Sequence, residues 1–277
     1  MNIIGLGQAG CAIAECFAKY PQYKIYKISV DTEGKRCYNI PILETAEEYE
    51  SYSYPKIKAF LKELKGETLF IVGGSSKISC ASLRILENLK RLPVSILYIQ
   101  PDDGLMDETQ IMQEKVVRNV IQEYARSGIF ESVCLISNSH LDDIVGGAPI
   151  IGYHEALNNI LVPTLHMINF FQNTKPVSGG IPKPKNTHRI YTVGVFDIEK
   201  SEEKMFFSLD KARHKCYIYG VKEEKLKTDK KLMKKIRSQI ESKKEEDLNI
   251  SYAIYSTDYE YDIGYVITRT PHIQNKI

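Results

Sequence analysis

A doubly wound α/β domain followed by a smaller α+β domain is the architecture this sequence predicts, on three observations. Short apolar runs alternate with helical patterns through the first 170 or so residues, as a parallel sheet with helices on both faces requires. A stretch rich in proline, glycine, serine and lysine then runs from Gln172 to His188, the composition of a linker. Beyond it come alternating, aromatic β-type runs with one basic helix among them. The boundaries expected are 1–175 for the first domain and 187–277 for the second.

In the first domain the strands are read at Asn2 to Gly5, Lys24 to Val30, Thr68 to Val72, Val94 to Ile99 and Ser132 to Ser137. A helix begins near Gly10. Another spans about Ser79 to Lys90, with Leu83, Ile85, Leu86 and Leu89 as a core-facing stripe. A third runs from Asp107 to Gly128, with Asp107 or Thr109 as cap and Gly128 as stop. The apolar helix after Pro149 contains Pro163, which should kink it. In the second domain RIYTVGVFDI, KMFFSL, KCYIYGV, ISYAIYS and IGYVITRT read as strands and DKKLMKKIRSQIESKKEEDL as a helix with a solvated lysine face.

Lysine plus arginine number 37 against 35 acids, so overall charge offers no argument for nucleic acid as the main partner. The six cysteines are scattered without a CxxC pair, which fits a reducing cytosol. The N-terminus passes from a short strand straight into glycines and does not read as a signal peptide. No apolar run approaches the roughly 18 residues of a membrane span. The histidines form neither i, i+4 pairs nor clusters with cysteine, so no metal site is expected.

The strongest local signal is Gly5-Leu6-Gly7-Gln8-Ala9-Gly10, between a strand and a helix. Without side chains there the backbone turns tightly and approaches a phosphate, whose charge the helix N-terminus favours. Read alone, this is also a dinucleotide fingerprint, and Asp31 stands where a carboxylate would bind an adenosine ribose. An NAD-binding oxidoreductase is therefore one reading. A second phosphate-facing loop, Gly73-Gly74-Ser75-Ser76, follows the third strand and suits a di- or triphosphate. Asn138 follows the strand VCLIS, and the later helix carries Tyr153 and, about one turn on, Asn158. A ring can stack on a base and an amide can reach its edge.

The series resembles the tubulin/FtsZ family. GLGQAGCAI is similar to its first phosphate loop, with Gln8 as in the GQxG form of tubulins. VDTE at 30–33 is similar to the loop after the second strand, and the stretch from Gln100 to Leu141 to the segment ending in the family's IPN-and-leucine run. GYHEALNNIL looks like the start of the central helix. KCYIYGV, the lysine helix, ISYAIYSTD and YDIGYVITRT follow the order of the family's smaller domain.

The resemblance implies GTP or GDP held between subunits of a filament or oligomer, with Mg accompanying the nucleotide. Gly7, Gln8, Ala9 and Gly10 would hold phosphate, Gly73, Gly74 and Ser75 would complete the cradle, and Asn138, Tyr153 and Asn158 would contact sugar and base. Three departures qualify this. The family's GGGTGSG is GGSSKIS here, with Lys77 among its residues. The segment Asn173 to His188, where the family's catalytic loop would supply acids to a neighbouring nucleotide, holds no carboxylate; Asp197 and Glu199 are the nearest acids downstream. The last expected strand stands close to Ile277, so the tail by which division proteins bind anchors is not expected. Weak or absent hydrolysis, or a non-hydrolysing structural protein, is the expectation, in a divergent phage- or plasmid-type member.

Overall fold

The computed structural model describes residues 1–275 and divides into two compact units, Met1–Val162 together with the stretch that begins at Ile273, and Pro163–His272. Lys276 and Ile277, with which the second domain was expected to end, lie outside the described residues.

Unit 1 runs β1 (Asn2–Leu6), α1 (Gly7–Cys16), β2 (Lys24–Ser29), β3 (Cys37–Asn39), α2 (Ala46–Ser51), α3 (Ile57–Phe60), β4 (Thr68–Gly73), α4 (Ser82–Leu86), β5 (Val94–Gln100), α5 (Glu108–Arg126), β6 (Ser132–Ser137), α6 (Asn138–Val145) and the first half of α7 (Tyr153–Gln172). Its strands pair in the order β3-β2-β1-β4-β5-β6, each neighbour parallel. All residues of β1 and β6 are buried, and five of six in β4. Coverage on both faces is why these strands read as continuous apolar runs.

The expected strands of unit 1 appear within a residue or so of their predicted ends, whereas in unit 2 the run KMFFSL is strand only at its start, in Glu202–Met205. α1 starts three residues earlier than its pattern suggested, because Gly7 makes the turn at once with φ +70°. Asp107 caps α5 in a reciprocal capping box with Gln110, and Gly128 beyond it has φ +87°. α7 passes through Pro163 as one helix, and the division between units falls inside it. The helix expected over Ser79 to Lys90 is α only from Ser82 to Leu86, flanked by 3₁₀ turns on both sides.

Unit 2 holds β7 (Ser178–Gly179), β8 (Ile190–Asp197), β9 (Glu202–Met205), β10 (His214–Lys222), α8 (Glu223–Thr228), α9 (Leu232–Ser242), β11 (Asn249–Thr257) and β12 (Ile263–Thr270). Their order is β8-β12-β10-β11-β7, with β9 on β8. β10 and β11 are parallel, joined by α8 and α9, while β12 is antiparallel to both β8 and β10. Tyr217, Tyr219 and Val221 alternate onto one face of β10, where Leu232 and Ile236 of α9 pack over them with Phe196 and Ile254. On α7, Phe171 stacks on Tyr255 with ring centres 4.4 Å apart.

Candidate functional site

Because the strands of unit 1 are parallel, the loops following β1, β2, β4, β5 and β6 lie along one edge of the sheet. The chain leaves β1 toward β2 and β3, then returns to place β4 on the other side of β1. The loops after β1 and β4 therefore flank a topological switch point, where open α/β sheets offer a crevice to ligands.

Leu6 ends β1 in extended backbone and Gly7 begins α1 in left-handed backbone. No side chain caps α1 and its first turn holds no acid, whereas Thr45, Asp107 and Ser137 cap α2, α5 and α6. Gln8 and Ala9 are exposed. The amide end of α1 is thus arranged for an anion from outside. Gly5 and Gly10 have a different task. A Cβ on Gly5 would strike the Gly10 carbonyl, and one on Gly10 would lie 2.6 Å from the carbonyl oxygen of Ile71 on β4. These two glycines let α1 settle on the sheet. Cys11, whose Sγ donates to the Gly5 carbonyl at 3.3 Å, is pushed up to about 11 by burial and is no nucleophile.

The second loop meets the first. A Cβ on Gly73 would sit 3.5 Å from that of Ala9, and the Ile78 side chain lies 3.6 Å from where a Gly7 Cβ would be. Gly74 donates its N–H to Ile99 at 3.0 Å, and the space of its missing side chain is filled by the Tyr98 hydroxyl and by Glu114 Cγ. Tyr98 Oη donates to Glu114 Oε1 at 3.0 Å, and Arg118 Nε approaches the same oxygen at 2.9 Å. All three side chains are buried. Burial first, then the Glu114 charge, holds the Tyr98 phenol well above its usual range. From the same helix Gln113 Nε2 donates to the Ser76 carbonyl at 2.9 Å. Ser75 is half-buried; Ser76 is exposed and accepts from Ile78 N–H at 3.3 Å. Lys77 Nζ donates to the Glu44 carbonyl at 2.6 Å, which turns its ammonium to the segment before α2.

Farther along the edge, Asn138 opens α6, half-buried behind the capping Ser137. Tyr153 is half-buried at the start of α7; burial raises its phenol, aided by the nearby charges of Asp142, Asp102 and Asp143. Asp142 Oδ1 is buried and has no hydrogen-bond partner among the described residues. Asn158 is 9% exposed, and at five residues from Tyr153 it lies about 140° around the helix, so the two do not share a stripe. Asp31 stands exposed beyond the end of β2, on the far side of β1 from β4.

The structure thus brings Gly7, Gln8, Ala9 and Gly73 together. The support under Gly74 was not anticipated. Glu114 and Arg118 at i, i+4 belong to the buried face of α5 with Val117, Ile121 and Ala125, and a charged pair interrupting an apolar stripe was the available signal. Among the described residues no group of three or more His, Cys, Asp or Glu is placed to hold a metal ion. None of the described helices is long and apolar enough to cross a membrane.

No protein-family model matches the sequence, and no curated protein matches it. Solved structures do. A GTPγS-form protofilament of TubZ from Bacillus thuringiensis serovar israelensis superposes with a TM-score of 0.73 at 17% identity, covering 97% of this chain and 86% of that one. A mutant FtsZ of M. jannaschii gives 0.72 at 11% identity, over 97% and 90% of the two chains. A TubZ described as a type III plasmid segregation protein gives 0.70 at 18%, over 96% and 86%. The strand order of unit 1 is shared with dinucleotide-binding domains, but these likenesses span both units: the chain has the tubulin/FtsZ fold.

Proposed function

We propose that this protein binds a guanine nucleotide across the loops after β1 and β4 and self-associates into filaments or oligomers, with weak or absent hydrolysis. The observation that carries the reading is the meeting of Gly7, Gln8 and Ala9 with Gly73 at the switch point, beside a helix start that no side chain caps. Phosphate groups suit that arrangement, and a magnesium ion would arrive with a triphosphate. Guanine suits Tyr153, because its N1–H and amino group are donors and the surroundings of this ring are rich in carboxylate acceptors. The solved structures of similar fold include GTPγS and GDP forms of TubZ protofilaments.

Weak turnover follows from the acid-free segment Asn173 to His188. The nearest downstream acids are engaged locally. Asp197 Oδ1 accepts from the N–H groups of Glu199 and Lys200 at 2.8 and 2.9 Å, and Glu199 is paired with Lys225 and Lys235. A non-hydrolysing structural protein on this fold is the second reading that the same segment supports.

Calorimetric titration of the purified protein with GTP, GDP and NAD tests the proposal. Tight binding of a guanine nucleotide is expected. Tight NAD binding with no guanine response would return the site to the dinucleotide reading and give Asp31 its ribose.

A further inference from the structure

We propose that the outer face of α9 and the turn that precedes it is a docking surface for the phosphate backbone of duplex nucleic acid. Between Lys222 and Lys244 the chain carries ten Lys and Arg against four Asp and Glu, a local excess that the near-neutral total conceals. Besides Lys222 and Lys244 at its two ends, the fold sorts these cations into two sets. Lys225, Lys235 and Lys243 turn inward to Asp262, Glu199 and Glu203 of the unit 2 sheet and its loops, and Lys227 pairs with Glu223 one turn away. Lys230, Lys231, Lys234 and Arg237 face outward, exposed, with no carboxylate within 4.0 Å among the described residues.

Helix stability does not account for their position. Lys231 is the N-cap of α9 and Lys230 precedes it, so two cations sit at the positive end of the helix, where the macrodipole disfavours them. Asp229, the acid beside them, is turned onto the Lys231 N–H at 2.8 Å. The four cations and the helix start therefore add up to one field that attracts anions.

Duplex backbone is the polyanion this face fits. From Lys230 to Arg237 the row extends about 10 Å along the helix, which matches about six duplex charges at one per roughly 1.7 Å. No aromatic residue lies between Lys222 and Lys244 to stack on unpaired bases, so contacts would be to phosphate and independent of sequence. Insertion into a lipid surface is opposed by the burial of the apolar side of α9, Leu232 and Ile236, in the unit 2 core.

The test is fluorescence anisotropy of a labelled mixed-sequence duplex titrated with the full chain across a salt series. With four phosphate contacts, affinity should fall about a hundredfold between about 50 and about 200 mM salt. A K230A/K231A/K234A/R237A variant should lose at least tenfold at low salt. A K35A/K58A/K62A/K65A variant, which removes the same charge from exposed positions of unit 1, should bind as the parent does. No binding at low salt, or equal loss in both variants, would overturn the proposal. So would a response to polyglutamate or to phosphatidylserine vesicles with none to duplex.

Discussion

Arg118 Nε lies 2.9 Å from Glu114 Oε1, with both side chains withdrawn from water beneath Gly74 of the second loop. Removing two charges from water costs several kcal/mol each, so the pair is a poor source of stability and a good way to hold one arrangement. Breaking it is the expensive change. Glu114→Ala should destabilise the protein by about 3–5 kcal/mol by taking the carboxylate from beside a buried guanidinium, and Glu114→Leu with Arg118→Met should recover most of that. Urea denaturation of the three proteins checks both figures. Nucleotide affinity measured on the stable double variant should still fall, because the loop above has lost its support.

Gln8 separates phosphate binding from folding. The side chain is exposed in the first turn of α1, so Gln8→Glu changes charge at nearly constant shape. A carboxylate there favours the helix by about 0.3–1 kcal/mol and repels a phosphate at the same place. Thermal stability should stay level or rise while nucleotide affinity drops at least tenfold. Unchanged affinity would mean that phosphate does not sit on this loop. Gly10→Val is unsuited to this purpose, since its branched side chain would meet the Ile71 carbonyl rather than a ligand.

Turnover should be slow and should depend little on protein concentration, even if the protein assembles. In the reading above a neighbouring subunit accelerates hydrolysis by presenting a base or positioning water beside the phosphate, and Asn173 to His188 contains no carboxylate to do so. Phosphate release measured against protein concentration, with assembly followed by light scattering, decides the matter. A steep rise as polymer forms, abolished by Asp197→Ala, would show that Asp197 leaves its turn to act.

Stability should decline as pH falls from about 6.5 toward 4. Burial first, then the charges of Arg269, His188 and Lys185, lowers His214 to about 4, and His188 moves in the same direction by burial and by Lys185, Arg269 and Arg213. An imidazole with a lowered folded pKa binds fewer protons in the folded protein than in the unfolded chain. Its contribution is fully present above the unfolded value and is lost as pH falls through the folded one. His214→Asn should flatten the decline by up to one proton, read from midpoints of urea unfolding at pH 7, 6, 5 and 4.5.

By itself the sequence determined the kinds and order of the long elements, because their signals are local. Continuous apolar runs made β1, β4, β5 and β6 legible, Asp107 or Thr109 offered a cap for α5 and Gly128 its stop, and DKKLMKKIRSQIESKKEEDL read as the helix that contains α9. Elements of three to six residues, such as β3, α2 and α3, carry too few turns or alternations to rise above their surroundings. Tertiary structure alone decided which glycines serve close packing and which lie where the two loops meet, since that depends on Ile71 meeting Gly10 and Ala9 meeting Gly73 across about 60 residues of chain. It also sent Lys77 to the Glu44 carbonyl and placed Tyr98, Glu114 and Arg118 under Gly74. Periodicity reports which side of an element is buried; only packing between distant segments reports what it is buried against.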